Sequence, residues 1–226
     1  GMTPGMIPFG ISAKTGGLIG FDVDLATDIA NQLGVRLELK QMQWDRLIPG
    51  LLDNEIDLII SAMQVTEERQ RSINFVPYFT DGLTVLVSTR DSGSLKTYSD
   101  LNSRQYTIAI KDSELTERAV RDRMPDARIS RFQSYRDSIK AVMDGGADAM
   151  VENLEYNSMV VLKYGADVFT VQPTLLTRQT LGIGYRKSDL ALGDWLEDYI
   201  ASIRQNGLHN RIERKWFKDS GWFSEL

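Results

Sequence analysis

Apolar residues recur at helical spacing soon after the start of the chain. In the stretch GGLIGFDVDLATDIANQLGV, Leu25, Ala26, Ile29, Ala30 and Leu33 fall on one face of a predicted helix. Asp22 stands where a cap or an acidic first turn is expected, and Gly34 supplies a C-terminal stop. The period then changes to two. Val35, Leu37 and Leu39 alternate in VRLELKQMQW, which predicts a strand. WDRLIPGLLDNE reads as a helix with Pro49 near its start. IDLIIS, Ile56 to Ser61, is continuously apolar, as in a strand covered on both faces.

The same alternation returns later in the chain. YTIAI, ARISRF and ADAMV read as strands. SELTERAVRDRM, SYRDSIKAVMDGG and NLEYNSMVVLKYG read as helices. Alternating helices and strands predict an α/β fold with parallel sheets. Two such runs predict two lobes, joined by the extended stretches GLTVLVSTRDSGS and TRQTLGIGYRKSD. The expected division is 1–87 with 181–226 for lobe one and 88–180 for lobe two, with a hinge near 86–90 and 177–183. A last long helix, Asp189 to Gln205, carries Leu192, Trp195, Leu196, Tyr199, Ile200 and Ile203 on one face and is assigned to lobe one. Trp195, Trp216 and Trp222 read as core or docking groups, and His209 as a surface helix residue.

Charge and composition narrow the chemistry. The net charge of -5 opposes nucleic-acid binding, which favours a basic stripe. The absence of cysteine excludes disulfides and thiolate metal sites, and a single histidine excludes a histidine-rich zinc site. No cofactor is expected. No stretch reaches the roughly 20 apolar residues of a membrane span. No export signal is visible, and Gly1 ahead of Met2 reads as a cloning scar.

Ligands favour domain interfaces and the carboxyl ends of parallel strands. Ser61, Lys111 and Asn153 stand at such predicted ends and are expected to face a common cleft. Arg69, in SAMQVTEERQRSINFVPYF, has two readings. It is either a surface partner of Glu67 or Glu68, or a carboxylate anchor using its planar fork.

The blocks IPFG, GLIGFDVDLATDIANQLGV, WDRLIPGLLDNEIDLIISAM, TEERQRSINFVPYF and RIERKWFKDSGWF, in that order, resemble the bacterial periplasmic solute-binding proteins that serve ABC importers of polar amino acids. The similarity covers essentially the whole chain. It implies a monomeric two-lobed clamshell with a two-strand hinge, a small carboxylate or amino-acid ligand and a membrane permease as partner. It also implies a first strand that would end just before Gly1. Arg69 would hold the ligand carboxylate, with Ser61, Ala62, Met63 and Gln64 around it and Met6 and Trp44 beside the ligand side chain. Lys111, Ser113, Leu115, Thr116 and Asn153 would line lobe two.

Several positions depart from the family pattern. Gln64 replaces a usual serine or threonine, Met6 a frequent aromatic and Ser113 a usual glycine. Leu115 stands where a hydroxyl-bearing or small residue is usual. Asn153 replaces the aspartate that pairs with a ligand ammonium, so that group would need Glu114 or Glu152, or be absent. Two alternatives stay open. One is an enzyme similar to the cyclohexadienyl dehydratases, needing a protonated carboxyl such as Glu114, Glu152 or Glu155. The other is the ligand-sensing ectodomain of a membrane signalling protein.

Overall fold

The computed structural model describes residues 1–225. They form two compact units, one of Gly1–Thr80 with the segment from Gln179 onward, the other of Asp81–Arg178. The first unit begins with β1 (Ile11–Ser12), β2 (Leu18–Ile19), α1 (Phe21–Leu33), α2 (Leu47–Leu52), α3 (Glu67–Gln70) and β3 (Asn74–Asp81). The second contributes β4 (Leu83–Ser88), β5 (Thr107–Lys111), α4 (Glu114–Arg123), β6 (Arg128–Phe132), α5 (Tyr135–Met143), β7 (Ala149–Asn153), α6 (Leu154–Tyr164) and β8 (Phe169–Val171). The chain returns to the first unit with β9 (Gln179–Tyr185), α7 (Leu190–Gln205) and α8 (Leu208–Phe217).

The second unit follows the predicted alternation closely. Its sheet has the order β6-β5-β7-β4-β8, with β5 parallel to β6 and β7, and β4 antiparallel to β7 and β8. One face packs Val85, Ile108, Ile110 and Val151 against Ala119 and Val120 of α4. The other packs Leu86, Ala109 and Met150 against Ile139 and Val142 of α5 and Val160 of α6. Helices on both faces explain why every residue of β4 is buried. The chain passes between units at 80–81 and 178–179. The first passage precedes the expected 86–90 because β4 is bound into the second sheet by β7 and β8.

In the first unit, α1 buries Leu25, Ala26, Ile29 and Ala30 and ends on Gly34 in the left-handed conformation, φ 67°. A core of Leu47, Leu51, Ile56, Ile59, Met63 and Ile73 lies beneath α2. An aromatic cluster joins Phe9, Phe21, Phe79 and Phe217, with Phe79 and Phe217 stacked at 5.2 Å.

Three expectations are corrected here. The predicted strands at 35–39 and 56–61 do not form as regular strands. The short segment Gly1–Met2 bridges both: Met2 pairs in parallel with Gln41, Gly1 N donates to Leu58 O at 2.8 Å, and Ile60 N donates to Gly1 O at 3.3 Å. A strand needs a neighbour along its length, and these segments make only isolated bridges, Gln41 with Met2 and Ile59 with Gly184. Val35, Leu37 and Leu39 instead line a groove of about 540 Å³ with Ile29, Leu33 and Ile56. His209 is buried, not on the surface: its Nε2 lies 2.9 Å from the carbonyl of Tyr78, and its ring packs on Phe21 and Phe79. Asp22 does not cap α1; Gly20 occupies that position and Asp22 is wholly buried.

Candidate functional site

In the first unit, the segment Ser61–Gln64 is held by antiparallel pairing with β9. Gln64 bridges Leu181, Gly182 N donates to Met63 O at 2.9 Å and Val65 N to Thr180 O at 2.8 Å. Within it Ala62 adopts a left-handed backbone, φ 47°, which an L-residue rarely takes. Asp22 compensates for this. Its Oδ2 accepts from Ala62 N at 2.7 Å, and its Oδ1 accepts from the Tyr78 hydroxyl at 2.7 Å. Burial dominates these two bonds and pushes the Asp22 carboxyl up to about 7.

Arg69 sits in the one-turn helix α3, whose start is fixed by Thr66 Oγ1 accepting from Arg69 N at 3.3 Å. Its guanidinium is centred 5.3 Å from the Trp44 ring, and Nη1 donates to the Gln64 carbonyl at 2.7 Å. Among the described residues it forms no ion pair, so the pairing with Glu67 or Glu68 is not made. Four of the five N–H donors of the fork are left over. Met6 and Trp44 are each 37% exposed, large apolar surfaces open on this unit.

The other predicted residues of this unit divide. Ser61 is buried and its Oγ accepts from Thr3 N at 2.9 Å. Met63 is 1% exposed and belongs to the core with Leu47 and Ile59, so its side chain does not line an open surface. The Gln64 side-chain amide donates to the side-chain carbonyl of Gln179, a partner not anticipated from sequence.

In the second unit, Lys111 and Asn153 end the neighbouring parallel strands β5 and β7. Ser113 caps α4: its Oγ accepts from Thr116 N at 3.3 Å and from Thr116 Oγ1 at 3.1 Å. Thr116 is buried by this arrangement, whereas Leu115 is 79% exposed. The Lys111 ammonium lies 4.6 Å from the centre of the Tyr135 ring, which packs on Tyr156 at 4.3 Å.

Carboxyl groups flank Asn153. Glu152 is buried, accepts from Asn153 N at 3.0 Å and from the Tyr135 hydroxyl, and is held above the usual carboxylate range by burial. Glu155 is pushed up to about 10, first by burial and then by its contact with Asp81. Glu114 is exposed in the first turn of α4. Among the described residues no cluster of His, Cys, Asp and Glu could hold a metal ion, and no helix is long and apolar enough to cross a membrane.

Comparison with known proteins agrees with this architecture. The chain is 27% identical over 220 residues to the ABC transporter glutamine-binding protein GlnH of Bacillus subtilis, covering 93% of this chain and 77% of that one. It is 28% identical over 145 residues to the cyclohexadienyl dehydratase of Pseudomonas aeruginosa, covering 64% of this chain and 54% of that one. Among solved structures, an ancestral cationic amino acid solute-binding protein superposes with a TM-score of 0.79 at 31% identity, covering 96% of this chain and 93% of that one. The profile of the bacterial extracellular solute-binding proteins, family 3, matches residues 1–219, and the chain belongs to that family.

Proposed function

We propose that the protein is a periplasmic receptor that binds an amino acid or a similar small carboxylate and presents it to an ABC importer. Arg69 carries this reading. Its guanidinium lies on Trp44 and is fixed by one bond to the Gln64 carbonyl, which leaves a preset fork without a counter-ion. A carboxylate is the group that such a fork pairs with best. Ala62, in its left-handed conformation, and Gln64 provide neighbouring contacts, and Met6 and Trp44 suit a partly apolar ligand side chain. Lys111, Ser113, Leu115, Thr116 and Asn153 are proposed to supply the contacts of the second unit. The names of the relatives, glutamine-binding and cationic-amino-acid-binding, support an amino-acid ligand.

The test is a thermal-shift screen with amino acids and small carboxylates on the native chain and on Arg69→Ala. A ligand that binds only the folded state raises the melting temperature. Loss of even one charge-assisted bond, about 1.5–3 kcal/mol, weakens binding by roughly 10- to 150-fold. Arg69→Ala is expected to lose the shift and to keep the melting temperature of the unliganded protein. An unchanged ligand shift refutes the assignment.

The dehydratase reading gains one observation, because Glu155 holds its proton at neutral pH. Its access is restricted: Glu155 Oε2 is buried, and the carboxyl faces Asp81. A general acid must come within hydrogen-bond reach of the group it protonates. The binding reading is therefore preferred, and absence of turnover of a cyclohexadienyl substrate is the expected result.

A further inference from the structure

The second sheet brings two carboxyl groups together away from any cation. β4 and β7 pair Leu83 with Asn153 and Thr84 with Glu152, and Leu154 N donates to Gly82 O at 2.9 Å. β7 ends at Asn153 and Glu155 lies in the first turn of α6, so that Asp81 and Glu155 flank the Gly82–Leu154 bond just beyond the ladder. Asp81 is 3% exposed. Asp81 Oδ1 and Glu155 Oε2 are both buried and receive no N–H or O–H from any other residue. The two carboxyl groups face each other, and a hydrogen bond between two carboxyl groups requires a proton on one of them. No lysine, arginine or histidine among the described residues forms an ion pair with either.

We propose that Asp81 and Glu155 share one proton and form a clasp that fastens the first residue of the second unit to the first turn of α6, beside Asn153. Two ionised carboxylates at this separation, without a cation, repel each other and leave buried charge unpaired. With the proton in place, the pair becomes one short polar link between two backbone segments that the ladder has already aligned. Loss of the proton opens the link.

The surrounding groups do not replace it. Glu152, on β7, is engaged by Asn153 N and Tyr135 and adds negative charge. Lys111, on β5, places its ammonium over the Tyr135 ring of α5. Tyr135 and Tyr156 are both pushed up to about 12 by burial, so neither releases a proton before the pair does.

The sign of the pH effect follows from Glu155. Its carboxyl titrates near 4.5 when free of the fold and near 10 within it. The folded chain thus binds the extra proton throughout that window, and stability falls as pH rises across it. Glu155→Gln keeps an N–H donor toward Asp81 and cannot ionise. It is expected to melt close to the native chain at about pH 4 and to gain on it steadily between about pH 5 and pH 9. A melting difference that is independent of pH, or a Gln variant less stable at every pH, overturns the proposal. Carbon-13 NMR titration of the Glu155 carboxyl in the native chain gives a second reading that depends on no variant. No midpoint is expected below about pH 8, and a midpoint in the ordinary carboxylate range, about 4–5, overturns the clasp. Neither measurement uses a ligand, so the outcome is separate from that of the receptor assignment.

Discussion

Asp22→Asn tests how the fold holds Ala62 in its unusual conformation. The native carboxyl is wholly buried and accepts two hydrogen bonds, from Ala62 N and from Tyr78. Burial raises its titration from 3.8 to about 7. At 1.36 kcal/mol per pH unit, that shift corresponds to roughly 4 kcal/mol. The direction is fixed by linkage. Between 3.8 and about 7 the folded chain binds more protons than the unfolded one, so this contribution is intact at low pH and is lost as pH rises through that window. The asparagine variant is neutral throughout. Its one carbonyl oxygen accepts from Ala62 or from Tyr78 but leaves the other donor facing an amide N–H, a loss of about 1 kcal/mol. The native chain is therefore expected to be the more stable at about pH 4 and the variant at about pH 8. Chemical denaturation of both proteins at the two pH values measures the crossing. Comparing the two proteins cancels the slope contributed by Glu155. Parallel stability curves would show that Asp22 is ionised at a normal pH and that the account of its burial is wrong.

Two substitutions probe the backbone and the ligand platform. In Gly82→Ala the new Cβ would lie 1.9 Å from the Thr177 carbonyl oxygen, so that the start of β4 must shift; a loss of about 1–3 kcal/mol is expected by chemical denaturation. Trp44→Ala removes the surface under the Arg69 guanidinium at a 37% exposed position. It is expected to weaken ligand binding by about 0.5–1 kcal/mol, a few-fold in Kd by calorimetry, with an unchanged melting temperature for the free protein.

The second unit was legible because its strands carry their own signal. β5 and β6 are each followed by a helix with a serine cap, β7 by α6, and the helices cover both faces of one sheet. The first unit was less so, since a strand is a property of a pair. Val35, Leu37 and Leu39 alternate correctly, yet among the described residues this segment makes a single isolated bridge, Gln41 with Met2, and alternation without a neighbour does not make a ladder. The passage between units at 80–81 is hard to read from sequence for the same reason. GLTVLVS reads as an extended linker until β7 and β8 are seen on either side of it.

At the site, the ends of β5 and β7 followed from position in the α/β alternation, and Arg69 was singled out by its charge beyond a predicted strand end. The residues that went unread are those that hold others in place, and two of them did leave a mark. Asp22 precedes Leu25, Ala26 and Ile29 by three, four and seven residues, so helical spacing puts it on the buried stripe, not at the cap. His209 stands in the same relation to Ile212 and Trp216. A polar residue on an apolar stripe must find a partner inside the protein, and here those partners are Ala62 and Tyr78. Asp81 and Glu155 leave no such mark. Their meeting depends on where α6 leaves the end of β7 beside the start of β4, which is set by the whole sheet and not by any pattern in either segment. Local periodicity can thus expose a buried polar group that stabilises its own helix face, whereas a carboxyl pair formed just beyond the ends of two paired strands becomes visible only once the sheet is assembled.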